Sequence, residues 1–382
     1  MGTFEEARTP AGADEALEAR LERLAATSRS HGEHRIWIER LTPEASLALA
    51  DPSDGPLAGL TFAIKDNIDL AGVPTTAACP AYGYVPDRSA TAVARLLAAG
   101  AVPLGKTNLD QFATGLVGTR SPHGACRNAL FPERISGGSS SGSAVAVALG
   151  EADFALGTDT AGSGRIPAAF NGLVGLKATR GLVPTTGVVP ACRSLDCVTT
   201  FTRRVADAAA LLEVLAGPDD EDPTARTVPP RWFRSRPRVA VPATAALAFP
   251  DPAYGPEAFD AARARLQDLG CEIVEIDPAP FVEAGDLLYA GPWVAERTAA
   301  VGAFLRAHPD AVHPVTAQII GAGADLDAVS AFRGFDRLRE LARLHVTCPP
   351  GPIRTKLSAT RSPPGPNRRA RISLPDSRTR MA

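Results

Sequence analysis

The chain has 382 residues, 45% of them hydrophobic and 21% charged, with a formal net charge of −2. That is enough apolar material for one large core or two modest ones, while no run approaches the ~18 uninterrupted apolar residues of a membrane-crossing helix. Residues 347–382 hold 8 of the 40 Lys and Arg but 1 of the 42 Asp and Glu, leaving the rest at −9, so the body lacks the basic footprint of a nucleic-acid binder.

The N-terminus has no basic-then-apolar leader pattern, and a cytoplasmic protein is expected. Within 14–27, Leu17, Leu21 and Leu24 have helical spacing. This predicts an amphipathic helix lying on the body or on a neighbouring protomer, in an N-terminal helical region over 1–50. Residues 35–40 dock that region, with Trp37 read as core. Residues 60–64 read as a buried strand, 91–99 as a helix ended by Gly100, and 102–104 as a strand, the order of parallel α/β construction. Thr107 is suited to cap a helix that Gly115 would stop. A short apolar helix (144–149) and a strand (154–157) follow, then a helix over 205–215 and a surface connection over 217–237. Strands at 239–241 and 271–276 flank an amphipathic helix over 257–269, and further helices cover 287–307 and 326–344. There is no internal repeat.

The main domain is expected over 51–346. Beyond it, 347–382 carries seven prolines and eight basic residues without apolar periodicity and reads as a disordered tail. The six cysteines (Cys79, Cys126, Cys192, Cys197, Cys271, Cys348) form no Cys-x2-Cys pair, so neither zinc nor a disulfide framework is expected. Cys192 and Cys197 read as buried free thiols.

Chemistry concentrates between 135 and 179. Two small-residue loops, Gly137-Gly-Ser-Ser-Ser-Gly-Ser143 and Gly157-Thr-Asp-Thr-Ala-Gly-Ser-Gly-Arg-Ile-Pro167, flank the short helix and strand. Glycine lets backbone N–H groups approach whatever lies above, as in an anion cradle or an oxyanion hole. The apolar runs 144–149 and 166–170 argue against a flexible linker, and no lysine follows the glycines as a phosphate loop requires. A serine nucleophile needs a base. His31, His34, His123, His308, His313 and His345 are dispersed. Lysine serves if its pKa falls from about 10.4 to roughly 7–8, and Lys65 ends the apolar strand in Ala63-Ile-Lys-Asp-Asn67. The competing reading of Lys65 is an ion pair with Asp66 or another acid.

In this order, Lys65, Ser139, Ser163 and Gly175-Leu-Lys-Ala-Thr-Arg-Gly181 resemble the amidase signature family over 57–215, and more weakly to 346. The resemblance implies an α/β fold with a central mixed, mostly parallel sheet covered by helices on both faces. It implies Ser163 as nucleophile, Ser139 as bridging serine across a cis Gly138–Ser139 bond, and Lys65 as base. Backbone N–H groups of Thr160, Ala161, Gly162 and Ser163 would form the oxyanion hole; Asp159 would orient that loop and Arg165 pin it. No metal and no organic cofactor is implied. Residues 107–124, 191–198 and 288–297 look like the allophanate hydrolase branch. There Tyr289 and Arg297 would bind a small anionic amide, with Gly115 a further pocket residue; on one helix, residues eight apart share a broad face. The implied reaction is hydrolysis of the terminal amide of allophanate with release of ammonia. Alternatives are another small-amide hydrolase, a glutamine-dependent amidotransferase subunit, or an inactive truncated remnant. Neither nucleic acid nor membrane is an expected partner; a homodimer is. The family core continues where this chain turns to Pro, Arg and Ser, so its C-terminal part is expected to be missing, which suggests a coding-frame change near 346 that resequencing would test.

Overall fold

The computed structural model describes residues 17–51, 54–227 and 236–344. Their contacts form two units. The first holds 17–51, 54–227 and 293–326; the second holds 236–292 and 327–344.

The first unit begins with α1 (Leu17–Ser30), β1 (Trp37–Arg40), α2 (Pro43–Leu49), β2 (Thr61–Lys65), α3 (Thr91–Ala98) and β3 (Val102–Thr107). It continues with α4 (Ser141–Ala148), β4 (Phe154–Thr158), α5 (Arg165–Phe170), β5 (Val174–Lys177), β6 (Val198–Thr202) and α6 (Val205–Leu215). The six strands form one sheet in the order β1-β3-β2-β4-β6-β5. β2 lies parallel to both β3 and β4, β6 is antiparallel to β4 and β5, and β1 is antiparallel to β3. Hence β2, β3, β4 and β5 run one way and β1 and β6 the other, a mixed, mostly parallel sheet.

Side chains alternate across each strand, and both faces are covered. Phe62, Ile64, Phe154 and Leu156 pack with Val93 and Leu96 of α3 and Leu211 and Leu215 of α6. Ala63, Ala155 and Leu104 pack with Leu21 and Leu24 of α1 and 144–147 of α4. The same parity turns Lys65 to the α4 side. α1 therefore belongs to the body rather than to a separate region: Arg20 donates to both oxygens of Asp153 at 2.7 Å and to the Gly59 carbonyl.

The second unit opens with β7 (Arg238–Pro242), α7 (Gly255–Asp268) and β8 (Glu272–Ile276), a parallel β–α–β unit as anticipated. α8 (Ala279–Tyr289) follows. The chain then contributes α9 (Trp293–Ala307) and α10 (Pro314–Gly321) to the first unit and α11 (Ala328–Leu344) to the second. Arg337 of α11 grips Glu283 of α8 through Nε at 2.6 Å and Nη2 at 2.8 Å.

Two expectations are corrected. No α-helix begins at Thr107: β3 runs through it, its hydroxyl lies 2.7 Å from Ser143 Oγ, and a single 3-10 turn covers Gln111–Ala113. The Asp110 carboxylate instead gathers the N–H groups of Val117, Gly118 and Arg120 into a loop. Nor is 287–307 one helix. It breaks over 290–292, because Pro292 lacks an N–H and disfavours helical backbone at the residue before it. The predicted tail over 347–382 lies outside the described residues, as do 228–235 of the surface connection and residues 14–16 of the first helix.

Candidate active site

β2 delivers Lys65 into a fully buried position between the two small-residue loops. Its Nζ lies 2.7 Å from Ser139 Oγ and donates at 2.7 Å to Thr158 Oγ1, the last residue of the adjacent strand β4. Asn67 Nδ2 also donates to Thr158 Oγ1, at 3.3 Å. Asp66, the acid next door, is taken by another buried lysine: Lys106 Nζ lies 3.1 Å from its Oδ1. The ion-pair reading of Lys65 with Asp66 is thereby set aside. Burial lowers the Lys65 pKa to about 7, against the opposing pull of Asp110, Asp196 and Asp159. An amine in that range is neutral in a large fraction near pH 7 and accepts a proton.

Ser139 starts the turn into α4, after a Gly138–Ser139 peptide that is cis. Gly138 leaves room for the neighbouring loop, since a Cβ there would lie 2.1 Å from Asp110 Oδ2. The Ser140 N–H donates to the Ser163 carbonyl at 3.2 Å, which ties the two serine loops together. The Ser163 hydroxyl itself donates to the Gly115 carbonyl at 3.5 Å, so the Lys65–Ser139 arm is formed while Ser163 occupies a rotamer aimed elsewhere. Rotation about one side-chain bond separates staggered wells, and catalytic hydrogen bonds commonly tighten only with substrate present.

The loop after β4 is braced from within. Burial alone would raise the Asp159 pKa, but the Arg165 guanidinium and the N–H groups of Gly162 and Arg165 hold it below the usual carboxylate range. Arg165 reaches Asp159 with Nε at 2.9 Å and Nη2 at 3.0 Å. The Gly162 N–H donates to Asp159 Oδ1 at 2.6 Å. Of the expected oxyanion donors, the Gly162 amide is engaged by this brace, whereas those of Thr160 and Ser163 meet no acceptor among the described residues.

Of the three expected substrate contacts, two lie together. Arg297, 6% exposed on α9, donates through Nη1 to Thr114 Oγ1 at 3.2 Å and has no carboxylate within ion-pair distance among the described residues. Thr114 precedes Gly115, whose carbonyl holds the Ser163 hydroxyl. Tyr289 ends α8 in the second unit and is 52% exposed. It shares no helix with Arg297, so the common-face argument for the pair fails.

Sequence reasoning missed Thr158, Asp110 and Asp196 as parts of this site. Asp110 stood inside the misread helix. Thr158 and Asp196 are revealed by strand pairing, β4 beside β2 and β6, which no local pattern announces. Among the described residues no group of His, Cys, Asp and Glu is arranged to hold a metal ion, and no helix is long and apolar enough to cross a membrane.

The amidase family model matches residues 15–325. A urea amidolyase of Lachancea kluyveri is 45% identical over 327 residues, covering 81% of this chain and 18% of that protein. A glutamyl-tRNA(Gln) amidotransferase component of Symbiobacterium thermophilum is 46% identical over 236 residues, covering 61% of this chain and 48% of that one. Among solved structures, Kluyveromyces lactis allophanate hydrolase superimposes with a TM-score of 0.80 at 38% identity, over 88% of this chain and 57% of that chain. The chain thus spans less than a fifth of the urea amidolyase and somewhat over half of the allophanate hydrolase.

Proposed function

Because the chain belongs to the amidase family, we propose that it is a serine amidohydrolase acting on the terminal amide of allophanate. The observation that carries this reading is Arg297: a buried guanidinium with no carboxylate at ion-pair distance among the described residues, bonded to the residue next to the carbonyl that holds the candidate nucleophile. Its planar fork suits a carboxylate, and allophanate presents one, joined through a single nitrogen to the amide carbonyl that is cleaved.

Ser163 rotates toward Ser139 and attacks that carbonyl. The Ser163 proton passes to Ser139, whose own proton passes to neutral Lys65. The N–H groups of Thr160 and Ser163 receive the oxyanion; losing one such donor typically costs about 3 kcal/mol of barrier. The proton returns through Ser139 to the leaving nitrogen, which departs as ammonia, leaving an acyl group on Ser163. Water, deprotonated along the same relay, releases an N-carboxylated carbamate, which then loses carbon dioxide. The same reading extends to a cytoplasmic homodimer, which sedimentation of the purified chain tests for assembly.

Ammonia release from allophanate by the purified chain, compared with Ser163→Ala, is the deciding experiment. Release that disappears in the variant supports the reading; release from glutamine and none from allophanate replaces it with the amidotransferase-type activity that the similarity to the S. thermophilum protein favours. A folded chain that releases ammonia from neither is the inactive remnant.

A further inference from the structure

We propose that Asp196 is a positioning residue that registers the oxyanion loop against the anion-binding arginine. This rests on the reading of Ser163 and Thr160 given above. Asp196 is almost wholly buried just before β6, and its carboxylate touches two separate structures. On one side Thr160 Oγ1 donates to Oδ1, fixing the residue whose N–H faces the oxyanion. On the other, the N–H groups of Ala191 and Cys192 donate to Oδ2 at 2.9 and 3.1 Å.

The 191–196 turn is held in turn by α9. Glu296, the residue before Arg297, accepts from Ser194 N at 2.6 Å, Ser194 Oγ at 2.7 Å and Cys192 Sγ at 2.9 Å. Trp293 Nε1 donates to Ser194 Oγ at 3.2 Å. A continuous path of short contacts therefore runs from the helix of Arg297, through Glu296 and Cys192, to Asp196 and Thr160. The substrate carboxylate is bound at one end and the reacting carbonyl at the other, and Asp196 sets the distance between them. The oxyanion loop already has its internal brace in Asp159, so Asp196 is not needed to close that loop.

The placement also carries an electrostatic signature. The charges facing Lys65 are Asp110 from the loop after β3, Asp159 from the loop after β4, and Asp196. Those facing Asp196 are Lys65 itself and Arg297 from α9, with the Cys192 and Cys197 thiols nearby and Glu296 beyond Cys192. Removing the Asp196 charge takes away one anion that favours protonated Lys65, so Lys65 loses its proton at lower pH.

The test is the rate at which a fluorophosphonate labels Ser163 in the full chain, measured against pH. For Asp196→Asn the rate is expected to fall about 10- to 100-fold, with its acid limb moved down by about half a pH unit. Thr160→Val, which removes the hydroxyl but keeps the carboxylate, should slow labelling without moving the limb. The limb reports the lost charge and the rate reports the registration, so a slow Asp196→Asn with an unmoved limb overturns the inference, as does wild-type behaviour or a Thr160→Val that labels at the wild-type rate. If thermal unfolding shows that Asp196→Asn does not fold, Thr160→Val decides: labelling at the wild-type rate overturns the inference, slowed labelling supports it. A wild-type chain that labels but releases no ammonia from allophanate sinks the substrate assignment and leaves this inference intact. A wild-type chain that takes no label removes both.

Discussion

Lys65, the proposed base, is defined by what it lacks. Its neighbour Asp66 is occupied by Lys106, and its own partners are the hydroxyls of Ser139 and Thr158. No carboxylate among the described residues sits at ion-pair distance to hold the proton on, and burial pushes the pKa down to about 7. The amine must be neutral to act, so labelling or turnover should rise with pH and reach half its plateau near pH 7. Lys65→Ala should lower kcat by about 1,000-fold or more, because general-base catalysis alone contributes about 100- to 10,000-fold, with KM within a few-fold. Turnover that survives the change removes lysine from the mechanism. Arg297 should show the opposite pattern. In Arg297→Met a charge-assisted contact worth about 1.5–3 kcal/mol is lost, so KM for allophanate should rise about 10- to 100-fold. Hydrolysis of a small uncharged amide should change little; equal losses on both substrates would show that Arg297 supports the fold rather than reading the carboxylate.

Among the elements, those whose residues face a sheet or helix in simple alternation were legible from sequence. Strand β2, helix α3, helix α6 and the β7–α7–β8 unit appear within a residue or two of where apolar periodicity puts them. The stretch after β3 was not legible, because its shape comes from one side chain, Asp110, collecting three distant N–H groups, and from Phe112 and Ala113, which adopt positive φ without being glycine. The edge strand β1 and the antiparallel pair β5–β6 were missed for a related reason: short strands gain their identity from partners. The start of α1 shows how such a partner contact is held. Asp153 binds Arg20 and also accepts the N–H and hydroxyl of Thr61, which is fully buried. Asp153→Ala strands those two donors at about 1–3 kcal/mol each, so urea denaturation should show a loss of about 3 kcal/mol. Arg20→Ala, which leaves Asp153 on Thr61, should cost about 1 kcal/mol. Equal losses would mean that the ion pair, not the Thr61 anchorage, carries the stability.

At the scale of the whole molecule, the site's electrostatics act on folding as well as on chemistry. The candidate nucleophile, bridging serine and base were legible as motifs, but the charges that tune the base come from three separate loops, at Asp110, Asp159 and Asp196, and needed the fold to assemble. Two of those groups have pKa values moved in ways that oppose folding near neutrality. Burial raises Asp196 to about 6 from 3.8, so the folded state holds its proton more tightly than the unfolded chain. Its favourable contribution is complete below pH 3.8 and is lost as pH rises through about 6. Lys65 is depressed from 10.5 to about 7, so its contribution is complete above pH 10.5 and is lost as pH falls through about 7. Both are therefore at their least favourable between about pH 6 and 7, the lower edge of the range in which the amine becomes neutral. Lys65→Met removes the lysine part of this cost. The variant should unfold at a higher temperature than the parent at pH 7, by an advantage that shrinks at about 1.4 kcal/mol per pH unit as pH rises toward 10.5. Thermal scans of both proteins across that interval read the slope directly; parallel curves would mean that Lys65 keeps its proton in the folded protein, and would remove it as the base.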